Sequence, residues 1–222
     1  MTQTITVYLE VGAKRVMASA ADWPGWCRGG KDAAAALQGL LDYGPRYQKI
    51  VGRTRLGFQP PDTIAAFAVT ERLNGNATTD YGVPGLVAQA EQQPPTVAEL
   101  KRLVILLKAC WRALDAAVER AEGHALRTGP RGGGRSTTGI LTHVVEAEGG
   151  GYLTSLGGKA PKDADRETLR ATILATLEAS ARGEVETVGP RGGKRWPPRY
   201  FVRRAAWHVL DHVWEIEDRL KP

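Results

Sequence analysis

The stretch AAWHVLDHVWEIEDR (residues 205–219) decides the fold of the C-terminal half of this chain. Apolar residues recur at spacings of three and four from Val202 to Leu220, which predicts an amphipathic helix with one buried face. His208 and His212 lie one helical turn apart on that apolar face. We therefore expect both imidazoles to point toward the protein interior.

Three segments upstream have the same helical period. The first begins at Thr96, a residue type that caps helices, and the second begins at Ser136-Thr137. The third follows Pro161-Lys162-Asp163, and the histidine-bearing helix follows Pro197-Pro198. Each apolar stripe must be buried, and short connections favour antiparallel neighbours. Residues 96–222 are therefore predicted to form a four-helix up-down bundle.

The N-terminal part has a different pattern. Polar and apolar residues alternate over residues 5–9 and 16–20, which predicts a β-hairpin. Helix formers follow over residues 31–43 and stop at Gly44-Pro45, and Thr63–Val69 is a candidate third strand. The sequence therefore predicts a small β-β-α-β unit ahead of the bundle.

The two parts are separated by residues 74–96, which contain turn formers and little periodicity. This composition is typical of a linker or a surface connection. We therefore predict an α+β protein, mainly α, with a small domain and linker over residues 1–95 and the bundle over residues 96–222.

The composition is that of a folded protein without a membrane span. Of 222 residues, 42% are hydrophobic, enough for one large core or two small ones. No run approaches the roughly 18 apolar residues that a span needs, and the N-terminus has no apolar signal segment. Cys27 and Cys110 stand alone, which predicts reduced, buried thiols. We expect a cytoplasmic protein that does not bind membranes.

A third histidine joins the pair on the last helix. His143 lies beside Ile140 and Val144, on the core-facing side of the second helix. Each histidine alone could be a hydrogen-bonded core residue, but three unpaired inward imidazoles would be costly to bury. Together, His143, His208 and His212 predict a divalent metal site with one open coordination position.

The spacing of the last pair does not fit a zinc protease, because Val209 stands where the HExxH motif has its general-base Glu. Glu146 and Glu215 each lie about one turn from a histidine, so either could orient an imidazole or act as a base on bound water. Tyr152 is a candidate for the lining of the substrate pocket.

Three further acidic residues on these helices are expected to be ordinary solvated charges: Glu148, Glu217 and Asp218.

Positive charge concentrates near two copies of the pentapeptide GPRGG, at residues 129–133 and 189–193, in a chain of net charge +6. The copies lie too far apart for an RNA-binding RGG tract and lack the GxxxxGK[ST] pattern of a phosphate loop, so nucleic acid is not the expected partner. Each copy precedes a histidine-bearing helix, so both are expected at the same end of the bundle.

The two glycine loops have two interpretations. They could be simple flexible connections, or their basic residues could attract an anionic small-molecule substrate or thiol toward the metal. The predicted substrate-binding cations are Arg131, Arg135, Arg191, Lys194 and Arg195.

Residues 97–222 resemble the DinB/YfiT-like family of four-helix metal-binding bundles. The resemblance consists of one His in the second helix, the HxxxH pair in the last helix and the WEIED stretch that follows. It implies a zinc, nickel or iron ion on His143, His208 and His212. It also implies a metal-dependent hydrolase, or an S-transferase that uses a low-molecular-weight thiol.

The N-terminal part is similar to the HicB-like antitoxin module in its VYLE strand and its DWPGWC turn. Trp26 is inserted in that turn, and no DNA-binding helix-turn-helix or ribbon follows. This unit could form a homodimer interface or cover the pocket. The competing function for the whole chain is therefore a non-catalytic binding and interaction module.

Overall fold

The computed structural model describes residues 4–129 and 134–220, and its class is α+β, as predicted. A four-stranded sheet has the strand order β3-β2-β1-β4. The first two strands form the predicted antiparallel hairpin, and β1 pairs with β4 in parallel. The strands are β1 (Ile5–Val11), β2 (Val16–Ala20), β3 (Cys27–Gly30) and β4 (Phe67–Asn74).

Two features of the sheet differ from the prediction. The last strand begins at Phe67, because Ile64–Ala66 forms a 3₁₀ turn in place of the predicted strand start. Strand β3 was missed, since its sequence CRGG has little β propensity. Gly30 is required there, because a side chain would collide with the backbone of Ala35 and Ala36.

The N-terminal helical segment divides into α1 (Ala33–Asp42) and α2 (Gly44–Val51). The predicted stop at Gly44-Pro45 does end the first helix, but a second helix begins there with proline in its first turn. Both helices pack beside the aromatic turn, where Trp26 stacks on Tyr47 at 5.9 Å. The inserted tryptophan of the DWPGWC turn is therefore a core residue.

The C-terminal half contains the four predicted helical segments. Thr96, Ser136 and Asp165 cap three of them through side-chain hydrogen bonds, and the last begins at Pro198. A π-helical turn at Ala147–Tyr152 continues the second segment. The helices are α4 (Val97–Arg120), α5 (Thr137–Glu146), α6 (Leu153–Leu156), α7 (Arg166–Ala181) and α8 (Pro198–Arg219).

Helix α8 lies at the centre of the molecule. Its histidine face packs against α5, while its opposite face contacts the N-terminal turn at Gly25. The fit is close, because a Cβ on Gly25 would lie 2.9 Å from Leu210 and 3.2 Å from Ala206. The helix is therefore buried on two faces, where the sequence pattern predicted one.

Residues 74–96 contain more regular structure than a linker was expected to have. Asn76 caps the short helix α3 (Ala77–Asp80), and Gln89–Glu91 forms a 3₁₀ turn. Buried apolar residues of the sheet and of the long helices join in one continuous cluster. The division into two domains near residue 95 stays a prediction. Among the residues described, no helix has both the length and the apolar content to cross a membrane.

Candidate metal centre

The three predicted histidines meet between α5 and α8. One ring nitrogen from each of His143, His208 and His212 lies within 4.8 Å of the other two. The Nε2 atoms of His143 and His208 are 3.2 Å apart, and the rings are packed edge to face. The sequence therefore correctly predicted the convergence of these side chains, while their role as metal ligands stays a prediction.

Local structure explains why the imidazoles converge. Ile140 and Val144 are fully buried, so they fix the rotation of α5 and direct His143 toward α8. On α8, buried neighbours hold His208 at 8% exposure, and His212 follows one turn later on the same face.

The surroundings keep two of the imidazoles neutral. Burial lowers the pKa of His208 to about 2, assisted by the charges of His212 and Arg204. Burial also lowers the pKa of His143, with His212 and Arg135 as further causes. A neutral imidazole offers a nitrogen lone pair, which is the form that binds metal ions.

His212 has a fixed orientation. Its Nδ1 atom donates a hydrogen bond of 2.8 Å to Oε2 of Glu215, and this bond is the main reason that the pKa of Glu215 is lowered. The other oxygen of Glu215 accepts from Arg219. Because an ionised Glu215 accepts the bond from Nδ1, Nε2 is the nitrogen of His212 that could bind another partner.

Arg219 extends this network to the loop before α5. Its Nε atom donates to the carbonyl of Arg127, and Nη2 donates to the carbonyl of Arg135. The chain of bonds from His212 through Glu215 and Arg219 therefore couples the end of α8 to the start of the helix that carries His143.

His208 is not satisfied by the protein alone. Its Nδ1 atom is buried and has no hydrogen-bond partner among the residues that the structure describes. Leaving a buried polar group without a partner costs about 1–3 kcal/mol. The unused bonding capacity is on Nδ1, whereas Nε2 is the nitrogen that faces His143.

The other predicted site residues differ in position. Tyr152 lies beside the cluster, with its ring 5.4 Å from that of His208. Glu146 is exposed and makes no hydrogen bond to the histidines within the described ranges. Glu215 contacts His212, as described above. The catalytic roles predicted for the two glutamates stay predictions.

Four of the five predicted cations of the two glycine loops lie in the described residues, and their surroundings differ. Arg131 lies outside the described residues. Arg135 is exposed, and its charge acts on His143 and His208. Arg191 and Lys194 are exposed on a small turn, and Arg195 donates to the carbonyl of Thr154 at 3.3 Å. Their part in substrate binding stays a prediction.

Glu148 was expected to be solvated, and this prediction was wrong. It is 2% exposed, accepts a 2.7 Å hydrogen bond from Nε1 of Trp111, and has a pKa raised to about 7 by burial. Glu148 follows the buried residues Ile140 and Val144 at a spacing of four, so the helical period itself places it on the inward face. That spacing was the available sequence signal. Glu217 and Asp218 are exposed, as expected.

A second buried charged residue, Arg203 of α8, was also missed. Arg203 is 3% exposed and donates to both oxygens of Glu91, at 2.6 and 3.1 Å. It also donates to the carbonyls of Pro84 and Leu86, and one terminal nitrogen lies 3.9 Å from the buried carboxylate of Glu10. We call Glu10, Glu91 and Arg203 the charge cluster.

A cleft of about 880 Å³ lies elsewhere, between α2, α4 and α8, and none of the three histidines lines it. Its basic character is partly neutralised, because Arg46 and Arg120 both pair with Glu217. We place the candidate site at the histidines, because their imidazoles are able to bind a metal ion, and not in this cleft.

No known protein family, curated protein or solved structure matches the chain. Function is therefore inferred from its own residues and their geometry.

Proposed function

We propose that this protein is a divalent-metal-dependent enzyme of the DinB/YfiT-like type. In this proposal α4, α5 with α6, α7 and α8 form an up-down-up-down bundle, and His143, His208 and His212 hold one zinc, nickel or iron ion in its core. The observation that carries the proposal is the convergence of three ring nitrogens, one each from His143, His208 and His212, within 4.8 Å of one another.

The donor set fits such an ion. Zinc–nitrogen bonds of about 2.0–2.1 Å in a tetrahedral site separate two ligand nitrogens by about 3.3–3.4 Å. The 3.2 Å between Nε2 of His143 and Nε2 of His208 is close to that value. Glu215 accepts a hydrogen bond from His212, and metal-binding histidines are commonly oriented by a carboxylate in this way.

The reaction class follows from the charge that neutral ligands leave on the ion. When bound, such a dication acidifies a coordinating water or thiol and so supplies a nucleophile near neutral pH. Hydrolysis and transfer of a low-molecular-weight thiol are both served by that chemistry. In either reaction, Glu215 fixes the tautomer of His212, and Tyr152 borders the space beside His208.

A non-catalytic interaction module is the competing function. It is favoured by one observation: 3.2 Å is also the length of a hydrogen bond between two neutral imidazoles. In that case His143 and His208 would satisfy each other without metal, and the cluster would be part of the core.

The metal content of protein purified without a histidine tag tests the proposal. We expect one ion per chain in the unmodified protein, and loss of that ion in His143→Ala and His208→Ala. His124→Ala is the matched control, because His124 is exposed and bonds only to the carbonyl of Glu122. Metal-free protein whose stability does not respond to added zinc, nickel or iron would favour the interaction module.

A further inference from the structure

Arg204 is placed next to the histidine cluster by the geometry of α8. It lies one turn before His208, so both side chains leave the same face of the helix. Its guanidinium carbon lies 5.1 Å from the ring centre of Tyr152 and 4.7 Å from that of Trp207. Two aromatic rings therefore hold this cation beside the cluster.

The charge of Arg204 is not neutralised within the described part of the chain. Arg204 forms no ion pair with a carboxylate there, and its Nη1 atom is buried without a hydrogen-bond partner. Its polar neighbour is the hydroxyl of Tyr152, whose pKa is raised by burial and lowered in part by Arg204. The two preceding arginines of the same helix differ, because Arg199 pairs with Glu99 and Arg203 pairs with Glu91. A buried guanidinium nitrogen without an acceptor is costly, so the site is suited to an external anion.

The charge of Arg204 also acts on the histidine cluster. The charge of Arg204 is one cause of the lowered pKa of His208, so the two groups are close enough to interact strongly. The Cβ atoms of Arg204 and His208, one helical turn apart, are typically separated by about 5–6 Å.

We propose that Arg204, between Tyr152 and Trp207, binds the carboxylate of a small organic substrate beside the histidine cluster. This inference rests on the proposed function, since it defines the substrate class of the same site. It transfers the anion-binding role from the predicted glycine-loop cations to one residue of α8.

A carboxylate fits better than a larger or more highly charged anion. The planar guanidinium fork matches two carboxylate oxygens, and one free cation balances one negative charge. The flanking rings provide an apolar surface for the organic part of the substrate, where inorganic phosphate would find few further donors.

Titration of the tag-free full chain with benzoate tests this assignment, with benzamide as the uncharged analogue and inorganic phosphate as the alternative anion. Binding can be followed by calorimetry and by tryptophan fluorescence, because Trp207 borders the site. We expect saturable benzoate binding that is weakened about tenfold or more in Arg204→Gln and less in Arg204→Lys. Benzamide should bind weakly and equally to all three proteins.

Arg72→Gln is the matched control, since Arg72 is an exposed cation of β4 outside the candidate site. Its benzoate affinity should equal that of the unmodified protein. Absence of saturable benzoate binding, equal affinity in Arg204→Gln, or an equal loss in Arg72→Gln would overturn the assignment. Tighter Arg204-dependent binding of phosphate than of benzoate would overturn the choice of a carboxylate.

Metal content measured on the same samples separates the two proposals. Arg204-dependent benzoate binding in protein that binds no metal would contradict only the proposed function. One ion per chain together with Arg204-independent benzoate binding would contradict only the carboxylate site. Arg204→Lys keeps the test decisive if Arg204→Gln does not fold.

Discussion

The charge cluster and the histidine cluster lie five residues apart on α8, yet they differ in how many hydrogen bonds the protein gives them. Arg203 donates to the carboxylate of Glu91 and to two backbone carbonyls. Oε2 of Glu10 accepts from two backbone amides, although its Oε1 has no hydrogen bond within the described residues. His208, by contrast, has one close polar contact, between its Nε2 and Nε2 of His143, and its buried Nδ1 has no partner in that part of the chain.

This difference separates a cluster that belongs to the fold from one that we propose as a ligand site. Buried polar groups that bond to each other stabilise one arrangement of the chain. The charge cluster links β1, α8 and the segment before α4 through such bonds, so we assign it to structure. The three imidazoles converge with few bonds to other protein groups, so we propose them as the functional site.

The largest effect is expected from breaking the charge cluster. Arg203→Met leaves the carboxylates of Glu10 and Glu91 buried without their cation, which should lower the free energy of unfolding by about 3–5 kcal/mol. Urea denaturation measures this loss. Arg204→Met is the comparison, because it strands no carboxylate and should cost about 1 kcal/mol or less. Equal losses in the two variants would contradict the division between structure and site.

A third buried group, Glu148, should make stability depend on pH. Its pKa rises from 4.5 to about 7 on folding, so the folded state holds the proton more tightly. Its contribution to stability is therefore complete below pH 4.5 and is lost as the pH rises through 7, a change of about 3 kcal/mol.

Glu148→Gln keeps an acceptor for Trp111 but removes the titration. Denaturation of both proteins between about pH 4.5 and 8 should therefore show the variant gaining about 3 kcal/mol relative to the unmodified protein as the pH rises. A difference that does not change with pH would show that Glu148 does not titrate in this range.

A smaller effect is expected at the histidine cluster from Glu215→Gln. Loss of the carboxylate behind His212 should weaken metal affinity about 10–100-fold without unfolding the chain. Competition with a chromogenic zinc chelator measures the change. Glu217→Gln, on the exposed face two residues later, should leave the affinity unaltered. Equal affinities for both variants would count against the orienting role of Glu215.

The smallest effect is expected from Glu146→Gln. This carboxylate is exposed and makes no hydrogen bond to the histidines within the described ranges, so metal affinity in the same competition assay should change less than about twofold. A loss as large as that of Glu215→Gln would place Glu146 in the site after all.

The helices were predictable because their signals are local. The apolar stripe of α8, the Thr96 cap and the Ser136 cap each depend on residues a few positions apart. The convergence of His143 with the pair on α8 followed from the same stripes, since two buried faces must meet.

What could not be predicted depends on contacts between distant segments. Arg203 looked like one more member of a basic run, because its partners Glu10 and Glu91 lie more than 100 residues away. Strand β3 forms only because β2 offers an edge to its glycine-containing sequence. The lack of a carboxylate partner for Arg204 within the described residues likewise depends on where folding places the acidic residues around it.

A crystal structure with anomalous scattering at the zinc, nickel and iron edges tests the central claim most directly. The account predicts one peak between α5 and α8, about 2.1 Å from a ring nitrogen of each of His143, His208 and His212. Protein that contains no such peak after soaking in all three metals, with His143 and His208 bonded directly to each other, would contradict it.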